Sequence, residues 1–210
     1  MTLRLNGSTS GYTEIDAPAV AGSNTLVLPT GAGSAYQVVR NGATAGSLEF
    51  TDKIVSGTAV ASTSGTSIDF TGIPSWVKRV TVMFNGVSTN GLAFLLVQIG
   101  AGSVASTGYL SGGGVYNGGG AAINTSTAGF IWRNASNAAT TNYGSFVLTL
   151  LGSNVWVASH NGYTNDNVGG ASVVNGGGNV TLSGTLDRVR ITTANGTDTF
   201  DAGSINILYE

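Results

Sequence analysis

Residues 66–100, TSIDFTGIPSWVKRVTVMFNGVSTNGLAFLLVQIG, form the densest apolar block of the chain. They read as a strand, a tight turn carrying Pro74 and Trp76, a second strand, a polar loop and a third, almost wholly apolar strand. Throughout the chain, apolar residues alternate with period two or sit in short runs bounded by Gly and Asn, which is the all-β pattern. Gly, Ser, Thr, Asn and Val dominate, and all are poor helix formers. The block is expected to nucleate a β-sandwich, and the remaining chain is read by what it adds to that nucleus.

At 210 residues, 41% of them apolar, the chain is one medium domain with enough apolar side chains for a core, or one domain with an appendage. Charged residues make up 9%, against a usual level of roughly 25%. With 33 glycines and only 8 Lys and Arg, the surface must be built from Ser, Thr, Asn and Gly. Such a surface suits a protein sheltered in an assembly or kept soluble outside a cell. A net charge of −2 without a basic run argues against a nucleic-acid groove, which needs clustered cations to displace counterions. It argues equally against an anionic membrane surface. The absence of Cys removes disulfides and thiolate metal sites. The N-terminal MTLRLNGSTSGY lacks the basic and apolar regions of a signal peptide, and no apolar run is long enough to span a bilayer. Synthesis in the cytoplasm is therefore expected.

Two regions are expected. Residues 1–57 hold short strands near 2–5, 11–15, 25–28, 36–40 and 47–50, with Pro18 and Pro29 between them and a positive-φ turn at Asn41-Gly42. These strands bury too little to fold alone and need partners. Residues 58–210 are expected to form the β-sandwich, jelly-roll-like, with about eight strands. In this region residues 101–142 and 160–178 are read as long polar loops, because the clusters at 112–114 and 118–120 put glycine where a packed strand needs side chains. Strands are expected at 129–132, 144–152, 155–159, 179–183, 186–193, 197–200 and 204–209, with turns at Ser153-Asn154 and Asn195-Gly196.

No catalytic motif is present. His160 is the sole histidine and is read as a loop or rim residue. Adjacent Ser159 and His160 point to opposite faces of a strand and cannot pair. Asp198 and Asp201 could stabilise a turn or touch calcium. Asp187 is expected to pair with Arg188 or Arg190 of a neighbouring strand or subunit. Trp76 either stacks on a base or sugar or caps the core. The long loops carry Tyr109, Tyr116, Trp132, Arg133, Tyr143 and Tyr163. Aromatics among Ser, Gly and Asn are the mix of adaptable recognition surfaces, where rigid rings give contact area and small polar residues give hydrogen bonds. The same aromatics could instead fold inward to pin the loops or meet across a subunit interface. No catalytic, cofactor or metal residue is assigned.

GSTSGYTEIDAPAVAGSNTLVLPTG, followed by NGATAGSLEF, resembles a short module in virion proteins of tailed phages, notably cyanophages. IDFTGIPSWVKRVTVMFNGVSTNG, LLVQIGAGSVASTGYLS and the ending LSGTLDRVRITTANGTDTFDAGSINILYE resemble a C-terminal domain recurrent in tail-fibre-like proteins. The resemblance covers most of the chain and departs most over residues 91–142 and 162–178. It implies a non-enzymatic, homotrimeric virion component without cofactors. Residues 1–57 would dock on other virion proteins, and the sandwich would contact host surface glycan. A capsid decoration, or cement, protein is the second expectation.

Overall fold

In the computed structural model, all residues are described except 1, 2, 17, 19, 21, 24, 35, 36, 52, 133–136, 139 and 167–169. The described residues contain strands, turns and bends but no helix. The chain divides into two compact units, Met1–Lys53 and Ile54–Glu210.

In the first unit β1 (Leu3–Asn6) pairs with β2 (Tyr12–Ile15), and β3 (Val38–Asn41) pairs with β4 (Leu48–Thr51), both antiparallel. The β1–β2 register places Leu3, Leu5, Thr13 and Ile15 on one side and Arg4, Asn6, Tyr12 and Glu14 on the other. Arg4 pairs with Glu14 and lies 4.0 Å over the Tyr12 ring, so the polar side is internally satisfied. Leu3, Leu5 and Ile15 are exposed. The expected strand at 25–28 is reduced to a single parallel bridge, Val27 to Ser47. The positive φ between β3 and β4 falls on Gly46, not Gly42, because the connection is longer than a two-residue turn.

The second unit begins with two short strands, β5 (Val55–Ser56) and β6 (Val60–Ala61), followed by β7 (Ser67–Thr71), β8 (Arg79–Thr89), β9 (Leu95–Ala101) and β10 (Ser103–Val104). Next come β11 (Leu110–Asn117), β12 (Gly120–Ser126), β13 (Phe130–Trp132), β14 (Thr141–Gly152) and β15 (Val155–Asn165). The chain closes with β16 (Ala171–Thr181), β17 (Arg188–Thr193) and β18 (Phe200–Tyr209). The large sheet runs β12-β11-β16-β15-β14-β8-β18-β5, with β6 also on β18. The small sheet runs β10-β9-β17-β7, with β13 on β9. Val55 and Ser56 belong with this unit because they pair with Tyr209 and Leu208, which moves the division to Lys53, upstream of the expected boundary at 57.

The two sheets share one core. Ile68 and Phe70 of β7, Val97 and Ile99 of β9 and Val189 and Ile191 of β17 meet Val80, Val82 and Phe84 of β8, Phe146 and Leu148 of β14 and Ile205 and Ile207 of β18. The fold is thus all-β, a two-sheet sandwich. Its first and last long strands are wound together, with β8 on β18 in one sheet and β9 on β17 in the other, the double-sheet arrangement of a jelly roll. Each fully buried aliphatic or aromatic side chain is worth about 1.5–3 kcal/mol. Among the described residues every member of the core lies in the second unit, so the stabilising burial is concentrated there.

Residues 110–117, 120–126, 160–165 and 171–178 are strand and correct the loop expectation there. Ser111 to Val115 pair with both β12 and β16, and Gly112 and Gly113 face Gly177 and Gly176. A β-carbon at Gly176 would collide with the Gly112 carbonyl oxygen and with the His160 ring, and one at Gly178 with the Leu110 carbonyl oxygen. Opposed glycines therefore let two strands close up and leave space on the inner face, which rings from elsewhere fill. The end of the chain corrects a second expectation. The Asn195-Gly196 turn forms, with Gly196 N–H donating to Thr193 O at 3.0 Å, but no hairpin follows. Residues 197–199 cross from the small sheet to the large one, and the strand resumes at Phe200.

Candidate functional site

Period-two geometry divides each long strand of the large sheet into core-facing and outward-facing residues. Tyr143 of β14 pairs with Tyr163 of β15, Tyr163 with Val173 of β16, Val173 with Tyr116 of β11, and Tyr116 with Ala121 of β12. These five residues form one row across five strands on the outward face. Tyr143, Tyr163, Val173 and Tyr116 are 39%, 42%, 57% and 44% exposed. The Tyr143 and Tyr163 rings lie 6.1 Å apart, tilted by 39°. The Tyr116 ring turns back along its own strand over Gly114, where a β-carbon would sit 3.3 Å from the ring edge and from the hydroxyl. The absence of a side chain at Gly114 lets that ring lie along the sheet.

The neighbouring outward row holds Ser145, Asn161, Asn175, Gly114 and Ile123. The five strands β11, β12, β14, β15 and β16 contain no Asp, Glu, Lys or Arg. The face thus offers ring surface, hydroxyls and carboxamides and no fixed charge. It can stack on a flat apolar surface and exchange neutral hydrogen bonds.

Of the residues expected in recognition loops, Tyr116, Tyr143 and Tyr163 are brought into this row. Tyr109 and Trp132 are not: both are fully buried. Tyr109 packs edge-on against Phe130 at 4.9 Å. Its hydroxyl accepts from Ile99 N–H at 2.8 Å and donates to Ala105 O at 3.1 Å. Burial raises its pKa to about 12, partly countered by the Ile99 N–H bond. Trp132 donates from Nε1 to Asn142 Oδ1 at 2.9 Å, and Asn142 Nδ2 donates to Val87 O at 2.8 Å. The Trp132 ring occupies the space left by Gly144 and Gly162, where β-carbons would overlap it. These two aromatics pin the fold, one of the alternatives open from the sequence. Arg133 lies outside the described residues.

His160 is a core residue and not a loop or rim residue. It is buried on the inner side of β15, while Ser159 faces outward. Its ring stacks on Trp132 at 5.1 Å and contacts Phe146 at 4.3 Å. Neither ring nitrogen has a hydrogen-bond partner. Burial pulls its pKa down to about 4.

Of the carboxylates singled out in the sequence, Asp198 and Asp187 are committed to structure. Asp198 accepts from Ala93 N–H at 2.9 Å and from Asn195 Nδ2 at 2.6 Å, tying two loops together. Asp201 is exposed on β18. Arg190 grips Asp69 of the adjacent strand through two bonds of 2.7 and 2.9 Å. Asp187 pairs with Arg188 beside it, which lowers the Asp187 pKa. Trp76 sits at the turn against Tyr209 at 5.9 Å and stays partly exposed; the buried cap is its neighbour Val77. Among the described residues no three His, Asp or Glu side chains converge as a metal site would require.

Val173, Asn161 and Asn175 were missed in the sequence because residues 160–178 read as loop. Their signal was the alternation of Ser172, Val174 and Gly176 with Val173, Asn175 and Gly177, masked by the glycines. Comparison with known proteins finds no family model that matches the chain, no curated protein that matches its sequence and no solved structure that matches it.

Proposed function

We propose that this chain is a structural component of a tailed-phage virion, of the tail-fibre type, and that the outward face of its large sheet contacts the host surface. The observation that carries the reading is the uncharged row Tyr143, Tyr163, Val173 and Tyr116. A monomer has no packing use for three tyrosines exposed on one sheet face, and exposed aromatic patches mark contact sites. The partner chemistry that fits is a glycan: sugar rings offer C–H faces to stack on tyrosine and hydroxyls for Asn161 and Asn175. Residues 1–53 supply attachment and gather copies into a homotrimer. Their four-residue strands hold none of the core, and the Leu3, Leu5 and Ile15 side of β1–β2 awaits a cover. The resemblance of residues 7–31 and 68–91 to virion proteins points the same way.

Immunogold electron microscopy of virions with antibody to this chain tests the reading. Label on the tail is expected. Label over the shell would replace it with a capsid decoration role, in which the tyrosine face meets capsomers. Absence of label from intact virions would overturn both.

A further inference from the structure

We infer that Asn117 is a self-modifying residue: its carboxamide reacts with the backbone of the β11–β12 turn and is converted to a carboxylate beside the tyrosine row. The chain contains eight Asn-Gly pairs, beginning at residues 6, 41, 85, 90, 117, 161, 175 and 195. Such a pair can close on itself, because glycine leaves the amide nitrogen after the asparagine uncrowded and its backbone mobile. Closure needs three things together. The glycine amide must be free, the carboxamide must fold toward it, and the backbone must not be held extended in a ladder.

Among the described residues the pair at 117 meets all three. Gly7 N–H donates to Gly11 O at 3.0 Å, Gly42 N–H to Ser47 O at 2.8 Å and Gly196 N–H to Thr193 O at 3.0 Å. The pairs at 85, 161 and 175 lie inside β8, β15 and β16, each flanked by a strand on both sides. Asn90 is tied to another segment: its Oδ1 accepts from Thr199 N–H and its N–H donates to Thr199 O, both at 2.9 Å. Asn117 instead ends β11 and faces Gly120 across the two-residue turn Gly118-Gly119. Asn117 and both glycines are exposed, so water reaches them. Asn117 Oδ1 accepts from Gly119 N–H at 2.9 Å, which folds the carboxamide back over Gly118 and draws electron density from Cγ. The Gly118 N–H makes no hydrogen bond among the described residues.

The chemistry needs only water. Gly118 N attacks Asn117 Cγ; that C–N bond forms as the bond from Cγ to Nδ2 breaks, and Nδ2 leaves as ammonia with the Gly118 amide proton. Water then opens the five-membered imide. Cleavage at Cγ leaves aspartate; cleavage at the main-chain carbonyl carbon leaves isoaspartate, with the backbone rerouted through the side chain. Either product adds one negative charge to the formal −2 of the chain. That charge is the first fixed one on β11, β12, β14, β15 and β16, next to Tyr116. The face therefore changes its electrostatic character with age, in one direction.

Peptide mapping by mass spectrometry of the full chain, aged in mildly alkaline buffer, tests the assignment. Conversion at Asn117 is expected to lead all seven other pairs. Over Asn161 and Asn175 the lead should be on the order of tenfold or more, because reaction in a ladder waits on local opening. In urea the eight rates should converge. Gly118→Ala should keep the fold, since a β-carbon there meets nothing within 4 Å and φ lies outside the left-handed region. It should slow conversion at Asn117 on the order of tenfold by crowding the attacking nitrogen. Another pair in the lead, a ranking that persists in urea, or an undiminished rate in Gly118→Ala would overturn the assignment.

Discussion

The imidazole of His160 stacks on the indole of Trp132, with ring centroids 5.1 Å apart and planes inclined by 28°. A polar ring thus packs as an aromatic one, and the cost appears as pH dependence. The folded pKa of about 4 lies below the ordinary value of 6.5. Above pH 6.5 the ring is neutral in both states and contributes no pH dependence. Between pH 6.5 and 4 the unfolded chain binds a proton that the folded chain refuses, so stability falls by roughly 3 kcal/mol across that window. Urea unfolding at several pH values should show wild type losing roughly 3 kcal/mol more than His160→Leu as pH drops from 6.5 to 4. Parallel curves would refute the assignment.

Gly162 is expected to be intolerant of a side chain. Its β-carbon would overlap the six-membered ring of Trp132 and the Tyr143 carbonyl. Gly162→Ala should destabilise by about 3 kcal/mol, the upper range for overpacking. Trp132→Leu alone should also be costly, because it opens a cavity. Combined, the two should cost about 1–2 kcal/mol less than their sum, since the alanine enters the space the indole vacates. A double-mutant cycle by chemical denaturation measures this coupling, and strict additivity would contradict the packing.

Tyr109→Phe removes a hydroxyl that serves Ile99 N–H and Ala105 O in the core. Leaving those groups unpaired should cost about 2 kcal/mol. Tyr143→Phe on the outward face should leave stability within about 0.5 kcal/mol of wild type. Melting temperatures of the two variants give the comparison, and equal losses would place both hydroxyls in equivalent surroundings.

Tyr143→Ala with Tyr163→Ala should preserve the fold, since a cross-strand aromatic pair contributes only about 0.2–1 kcal/mol. Retention of the labelled chain on host cells should fall about tenfold or more if these rings anchor the contact. Unchanged retention by a folded double variant would remove the row from host binding.

The sequence made the sandwich legible where side chains alternate. β7, β8 and β9 follow the block at 66–100, and the turn at Ser153-Asn154 appears with φ of 47° and 61°, the mirror-image turn that joins β14 to β15. β11, β12 and the second half of β15 were illegible for a physical reason. Gly112 and Gly113 are strand residues only because Gly177 and Gly176 lie opposite, a relation across more than 60 residues that no local pattern contains. The same glycines make room for His160, which explains why a histidine in a polar stretch is a core residue. Tyr116, Tyr143 and Tyr163 face outward on strands, whereas Tyr109, just ahead of β11, and Trp132 of β13 are buried, a difference their similar surroundings in the sequence do not show.

The uncharged stretch of β11, β12, β14, β15 and β16 has a consequence for how any partner arrives. Fixed charges attract over roughly 10 Å at 0.1 M salt and less in brine. Without them this face neither draws a partner in nor repels it. A partner meeting this face would do so at the unsteered rate of about 10⁵–10⁶ M⁻¹s⁻¹, without the screening by salt that weakens charged contacts. The strength of such a contact would come from how many faces engage at once and how slowly each lets go.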